Sequence, residues 1–438
     1  MRPAAPTTAI RVMTALYEID LRERRCRLGA IISTLAEFPA KGPWPVANTS
    51  STPSRFRRLA DGLERAVLNS EHATPEPVRV KELWIPVGIY LLSRLYVISM
   101  FLAVSKILHR TLTYALTPWD SQWYLSIAEN GYVHSIPPGV GNAAQSNLGF
   151  FPLMPLAVRL VHTLTPLSWK TSGLTAAFVT GLTASLAVWF MLRDSGTLSE
   201  SRRGISLVFF TPGALVLSFV YSEGLIVTFA CLTIWALRRE KWLLAGLVAA
   251  MCSLADPVGC AAVFTCIVIA LLAIYREKTW RPFVAIVIAP LGILGFFTYL
   301  YFHAGSFFTW FHAQRRGWQG GHYFNGAPNA IYSFIAHGFT NLNPPVKTMS
   351  LLLAVIMLIL FSRIRPHLSI VIYVITVIFM GLLSPIIGIT PRLLLRDSPL
   401  LATVGSRLNR RWFGVILAGS CAILGFLIIV SSPWVWTP

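Results

Sequence analysis

The chain is poor in charged residues, and it is poorest in acidic ones. Only 13% of its 438 residues are charged and only 18 are Asp or Glu, whereas 55% are hydrophobic. An ordinary soluble domain has about 25% charged residues. The composition therefore excludes a single soluble globular protein. It also excludes a disordered chain, because disorder requires low hydrophobicity.

Cysteine is also scarce, and its spacing indicates no special chemistry. The six cysteines form no CxxC motif, and none pairs with histidine at a spacing typical of zinc sites. The sequence therefore predicts neither a metal centre nor a disulfide framework, and we expect no cofactor. The first long apolar run begins near Leu83, too far along the chain for a cleavable signal peptide.

The chain contains long apolar runs in place of charged segments. Several are interrupted by Pro or Gly, which a helical bundle tolerates where neighbouring helices cover the freed backbone groups. We therefore predict an all-α polytopic membrane protein, a bundle of about eleven transmembrane helices. The predicted spans are 84–105, 172–192, 204–221, 223–238, 242–256, 257–275, 282–302, 347–362, 367–385, 391–407 and 412–432.

The first 83 residues differ from the rest of the chain. They contain 13 basic and 9 acidic residues together with clusters of Pro and Ser. This composition is typical of a poorly ordered or partly helical segment. We therefore divide the chain into an N-terminal cytoplasmic region, 1–83, and a transmembrane domain, 84–438.

The basic residues indicate the topology. A formal charge of +19 would suggest nucleic-acid binding in a soluble protein. Here five short turns between spans contain fourteen Lys or Arg, whereas the long loops 106–171 and 303–346 together with position 392 contain seven. The positive-inside rule then places the N-terminus and the short turns in the cytoplasm and the two loops, with short interfacial helices, on the external or luminal side. No nucleic-acid partner is expected.

This topology requires that Phe150–Leu164 does not cross the membrane. The run has about 15 residues and contains two prolines and an arginine, so a re-entrant or interfacial segment is predicted. The large loops then form the face on which we expect any chemistry, because function concentrates in long loops on a rigid scaffold.

Nine acidic residues follow residue 83, and Asp120 is the strongest candidate among them. Pro118 and Gly131 delimit a predicted short helix whose first turn contains Asp120. Trp119, Trp123 and Ile127 would form an apolar face at headgroup level. A carboxylate held there could accept a proton from a substrate hydroxyl. The alternative is a helix-capping Asp without chemistry.

Three further acids lie at predicted span ends or inside spans. Glu223 is the first residue of a predicted span. It is either a functional residue, because ionisable groups at membrane depth usually are, or a helix cap. Asp256 precedes Pro257, where a cap is the simpler interpretation. Asp397 follows Arg396 and lies five residues after Arg392, so an internal ion pair is predicted for it.

The second long loop combines basic, aromatic and glycine residues. Arginine gives bidentate contacts to phosphate, and tryptophan stacks on sugar faces, so this loop suits a phosphorylated sugar donor. Lipid-headgroup contacts are the alternative. The candidate ligands are His312, Gln314, Arg315, Arg316, Trp318 and His322, with Arg392, which follows Pro391 at an external helix start.

Several motifs in this order resemble the PIG-V-type mannosyltransferases. They are Trp119-Asp120 with Ala128-Glu129-Asn130-Gly131-Tyr132, Phe150 to Leu156, Thr211-Pro212-Gly213-Ala214 with Tyr221-Ser222-Glu223-Gly224, and less strongly Gln314 to Trp318 and Pro391 to Leu395. The resemblance implies a GT-C-like membrane bundle that takes a sugar from a polyprenyl-phosphate donor. It also implies that the carboxylate of the first external loop, here Asp120, is catalytic.

The resemblance leads to a specific expectation. Asp120 would act as the base in an inverting transfer of mannose, with Trp119, Gln122, Tyr124 and Glu223 in the substrate site. Arg315, Arg316, Arg392 and His312 or His322 would hold the donor phosphate. The acceptor would be a glycolipid, a glycan or a protein, and membrane lipids would surround the bundle.

Two other functions remain open at this point. A lipid or solute transporter is compatible with broken helices, although the sequence shows no internal repeat. A non-catalytic subunit is the other, because Asp256 stands where the resembling proteins often have Arg.

Overall fold

The computed structural model describes residues 78–318, 324–384 and 388–432. Nearly all of the predicted N-terminal region and His322 lie outside the described residues. The described ranges are helical and contain no strand. Their α-helices, numbered α1 to α18, are Trp84–Ile107, Leu112–Leu116, Asp120–Asn130, Leu153–Leu164, Trp169–Arg193, Leu198–Phe209, Glu223–Arg238, Trp242–Ala255, Cys260–Glu277, Phe283–Ile288, Leu291–Ala304, Thr309–Gly317, Gly326–His337, Asn343–Ser362, Leu368–Leu383, Pro391–Arg396, Ser398–Arg407 and Arg410–Ser431.

The helices confirm a multi-pass membrane protein. Six helical segments of the described chain are long and apolar enough to cross a bilayer. A seventh span is possible if the 3₁₀ segment Pro212–Ser218 and α7 form one span, although the two are bent by 111°. The predicted all-α fold is thus confirmed, whereas the count of eleven spans is not.

Two predicted spans are broken for local reasons. The run 204–221 ends its α-helix at Phe209, because Pro212 lacks the backbone N–H that a continuing helix requires. The run 391–407 breaks at Asp397, which separates α16 from α17 and lies two residues before Pro399. Both breaks leave short helical pieces at the centre of the bundle instead of regular spans.

Small residues bring the central helices into close contact. α5 packs on α7 at Gly224, where an added Cβ would meet the Thr180 hydroxyl oxygen at 2.7 Å. The Thr183 and Thr228 hydroxyls join the same two helices at 3.1 Å. Such small-residue contacts allow membrane helices to approach closely. They place the N-terminus of α7, with Glu223, at the bundle centre.

The segment Pro212–Ser218 supports α16 through one very close contact. A Cβ at Gly213 would lie 2.0 Å from the Pro391 carbonyl oxygen, well inside van der Waals contact. Gly213 therefore fixes how near α16 can approach this segment.

We expect Gly213→Ala to lower stability by about 1–3 kcal/mol, the usual cost of overpacking. The apparent melting temperature of the purified protein in detergent measures the effect. Gly88→Ala in α1 is the matched control, because nothing lies within 4 Å of the added Cβ there. Equal melting temperatures for the two variants would contradict the close contact.

The first long loop folds onto the bundle. α4 has 12 residues, a length of about 18 Å, too short to cross a hydrocarbon core of about 30 Å. α3 ends at Asn130, and the following Gly131 has a φ of 79°, which glycine adopts readily. The expectation that Trp119, Trp123 and Ile127 form one face at headgroup level is wrong for Ile127. Ile127 is buried, and Trp123 stacks on Phe150 with ring centroids 5.9 Å apart.

Candidate active site

Five charged side chains from four parts of the chain form one cluster. Their ion pairs connect α3, the start of α7, the residue after α8, and two arginines of α16. The arginines lie four residues apart, so they project from the same face of their helix. We call this group the charge cluster: Asp120, Glu223, Asp256, Arg392 and Arg396.

Arg392 lies between two carboxylates. Its Nη1 is 2.5 Å from Oδ2 of Asp120, and its Nε donates to Oε1 of Glu223. Arg396 donates to the same Glu223 oxygen from Nε at 3.0 Å and from Nη2 at 2.8 Å. Its Nη2 also lies 2.8 Å from Oδ2 of Asp256. Glu223 is therefore the common acceptor that holds both guanidinium groups.

The carboxylates of the charge cluster differ in how far their side chains are exposed. The side chain of Glu223 is 0% exposed, whereas that of Asp120 is 27% exposed. Asp120 is accordingly the carboxylate that a ligand can reach. With every member ionised, three carboxylates and two guanidiniums leave the charge cluster with one net negative charge.

Aromatic residues complete the surroundings of Arg392 and Asp120. The Arg392 guanidinium lies 4.4 Å from the centroid of the Tyr221 ring, a cation–π contact. Tyr124, one turn after Asp120, donates its hydroxyl to Ser222 Oγ at 3.2 Å. Burial raises the pKa of the Tyr124 hydroxyl well above its ordinary value. Tyr124 therefore remains a neutral donor beside the charged groups.

The backbone just before Asp120 is strained. Trp119 has a φ of 36° and a ψ of −104°, a conformation that residues other than glycine rarely adopt. Such a conformation costs on the order of 1–3 kcal/mol and is found preferentially at functional sites. It belongs to the turn that directs Asp120 towards Arg392.

The second loop contacts the first one near α3 through two neutral side chains, Gln314 and Trp318. Gln314 of α12 donates from Nε2 to the Gly149 carbonyl at 2.8 Å. The Trp318 ring packs against Trp123 and Phe150, with centroids 6.0 and 5.6 Å apart. These contacts bring the end of α12 close to α3, one turn from Asp120.

The other predicted ligands are not part of the charge cluster. His312, Arg315 and Gln122 are exposed on the surfaces of α12 and α3. Arg316 is exposed and donates to the Pro137 and Gly139 carbonyls at 3.3 and 3.1 Å. Among the predicted phosphate ligands that the structure describes, only Arg392 lies beside Asp120.

Two members of the charge cluster were not predicted as site residues. Asp256 is the expected cap, since its Oδ1 accepts from the Val258 amide at 3.0 Å, but its other oxygen also binds Arg396. The i, i+4 spacing of Arg392 and Arg396 was a usable signal for Arg396. The ion pair predicted for Asp397 is wrong: both arginines turn towards Glu223, and the Asp397 carboxyl oxygens have no hydrogen-bond partner among the described residues.

Comparison with known proteins places the chain in a family. Among solved structures it is similar to ArnT from Cupriavidus metallidurans bound to undecaprenyl phosphate, with 16% sequence identity and a TM-score of 0.47 over 73% of this chain. The chain spans 62% of the length of ArnT. No curated protein sequence matches it.

A family model described as mannosyltransferase (PIG-V) matches residues 89–377, more than half of the chain. The chain therefore belongs to the mannosyltransferase (PIG-V) family.

Proposed function

We propose that this protein transfers mannose from a polyprenyl-phosphate donor to an acceptor hydroxyl, with inversion at the anomeric carbon. Family membership supports the glycosyl transfer. The single observation that carries the site assignment is the contact between Arg392 and Asp120. In this contact Arg392, a cation that can bind the donor phosphate, pairs with Asp120. Asp120 is the one carboxylate of the charge cluster that a ligand can reach. In this proposal Asp120 is the base.

The Arg392 contact suggests how the donor prepares the base. Arginine binds phosphate through two parallel N–H groups, and charge-assisted bonds of this kind are strong. The donor phosphate therefore competes with Asp120 for the guanidinium. Once the phosphate occupies Arg392, the Asp120 carboxylate is released from its ion pair and is available to the acceptor hydroxyl. Arg392 cannot follow the phosphate far, because Glu223 holds its Nε.

The transfer is a single displacement. The acceptor oxygen forms a bond to the anomeric carbon while the bond from that carbon to the phosphate oxygen breaks. The electron pair of the broken bond leaves with polyprenyl phosphate, whose negative charge Arg392 stabilises. The proton of the acceptor hydroxyl passes to a carboxylate oxygen of Asp120. One displacement inverts the configuration at the anomeric carbon.

The charge asymmetry supports an active site on the external or luminal side. The basic turns fit a cytoplasmic face, and α3 and α12 belong to the two long loops on the opposite side. Donor and acceptor would then meet outside the cytoplasm. The acceptor class is a glycolipid, a glycan or a protein with an accessible hydroxyl.

Transfer by the purified full-length chain in lipid vesicles tests the proposal. The assay supplies polyprenyl-phosphate mannose with radiolabelled mannose and a lipid extract of the source cells as acceptor pool. We expect labelled product, release of polyprenyl phosphate and inverted anomeric configuration by NMR. GDP-mannose and polyprenyl-phosphate glucose are the matched donor controls. Transfer from GDP-mannose without any from the lipid donor would overturn the donor assignment, and transport of the lipid without sugar transfer would favour a transporter.

A further inference from the structure

A buried arginine lies in the first candidate span, away from the charge cluster. Arg94 of α1 is 2% exposed and forms no ion pair with any described carboxylate. Its Nη1 donates to Ser218 Oγ at 2.6 Å and its Nη2 to Ser93 Oγ at 2.8 Å. A buried cation without a counter-ion is costly in a membrane segment, and such residues are usually functional.

Arg94 and Ser93 contact both ends of the connection between α6 and α7. The Ser93 hydroxyl donates at 2.6 Å to the carbonyl of Phe209, where α6 ends. Arg94 binds Ser218, the last residue of the 3₁₀ segment that leads to α7. A cation near a helix C-terminus is favoured by the helix dipole. The pair therefore fixes the start and the end of the connection between α6 and α7.

This connection positions both partners of the Glu223–Arg392 ion pair. Glu223 follows five residues after Ser218, at the first position of α7. Gly213, in the same segment, lies against the Pro391 carbonyl, and Pro391 directly precedes Arg392. A shift of the segment therefore moves Glu223 and Arg392 relative to each other.

We infer that Arg94 is a positioning residue for the transfer reaction. It holds the segment Pro212–Ser218 so that Glu223 and Arg392 keep the geometry in which Arg392 can serve both Asp120 and the donor phosphate. The inference rests on the proposed function. Because Arg94 is buried, it acts through the charge cluster and not on the substrate.

Arg94→Met tests the inference, because Met keeps the length of the side chain and removes its charge and donors. A displacement of about 1 Å at a reacting group can lower the rate by about 100-fold. We expect kcat to fall by about 10- to 100-fold and the donor KM to change by less than about threefold. Arg94→Lys restores part of the rate, and Arg94→Met with Ser218→Ala is no slower than Arg94→Met alone. Arg110→Met, an exposed arginine just beyond α1, is the matched control.

Hydrogen exchange in lipid nanodiscs gives a second readout that does not need activity. We expect amides of residues 210–222 to exchange at least about tenfold faster in Arg94→Met, while α9 exchanges as in the unmodified protein. Faster exchange with an unchanged kcat would show a structural role only, and unchanged exchange would overturn the inference outright. If the unmodified protein transfers no sugar, the proposed function fails and the positioning role fails with it, whereas a loss of rate confined to Arg94→Met leaves the proposed function intact. If Arg94→Met does not accumulate, Arg94→Lys and Ser218→Ala carry the same comparison.

Discussion

Asp120→Asn is expected to lower kcat for mannose transfer by about 10³-fold or more. The amide keeps the size of the side chain but cannot accept the proton of the acceptor hydroxyl, and general base catalysis contributes about 10²–10⁴-fold. Donor binding should survive the change. Because the neutral amide no longer competes for Arg392, the variant should bind polyprenyl phosphate at least as tightly as the unmodified protein.

Glu129→Gln is the matched control for this experiment. Glu129 is an exposed carboxylate on the same helix, and the change from carboxylate to amide is the same. Transfer rates and the affinity for polyprenyl phosphate, measured in the same vesicles, separate chemistry from binding. Near-normal turnover by Asp120→Asn would remove Asp120 from the mechanism. Loss of polyprenyl-phosphate binding in that variant would instead contradict the competition for Arg392.

Glu223→Gln is expected to have the largest effect on stability. Glu223 is fully buried and accepts from both Arg392 and Arg396. Removing one partner from a buried ion pair costs about 3–5 kcal/mol, because the remaining charges stay buried and lose their counter-ion. We expect a lower yield of folded protein and a large drop in its apparent melting temperature. The protein that does fold should also transfer mannose slowly, because Arg392 is no longer held.

Glu200→Gln provides the matched control for the stability effect. Glu200 pairs with Arg407 at 2.9 Å, and the Arg407 side chain is 52% exposed. An exposed pair of this kind contributes about 0–1 kcal/mol. The two variants thus make the same chemical change in a buried and in an exposed ion pair. Similar melting temperatures for both would contradict the proposed importance of the buried one.

Local signals in the sequence were sufficient to predict the helix that presents Asp120. Pro118 and Gly131 delimit it, and the structure begins and ends α3 within that interval. Arg392 was predicted from its position after Pro391 at a helix start. Both predictions depend on residues that are neighbours along the chain, and such patterns are readable without a tertiary structure.

The ion pairs of the charge cluster could not be predicted from such local patterns in the sequence. Asp256 and Arg396 are 140 residues apart and meet because α8 and α16 converge on α7. The basic composition of α12 predicts a phosphate site there, yet the side chains that reach the vicinity of α3 are the neutral Gln314 and Trp318, and Arg316 binds backbone carbonyls of the first loop. Apolar runs likewise indicated spans but did not show where Pro212 and Asp397 interrupt them.

The charge cluster has a consequence for the biogenesis of the protein. Glu223 is synthesised 169 residues before Arg392, and Asp256 is synthesised 140 residues before Arg396. At ribosomal speed the carboxylates wait about 10–30 s for their partners. The charge cluster therefore forms only when α16 has been synthesised, late in the biogenesis of the protein.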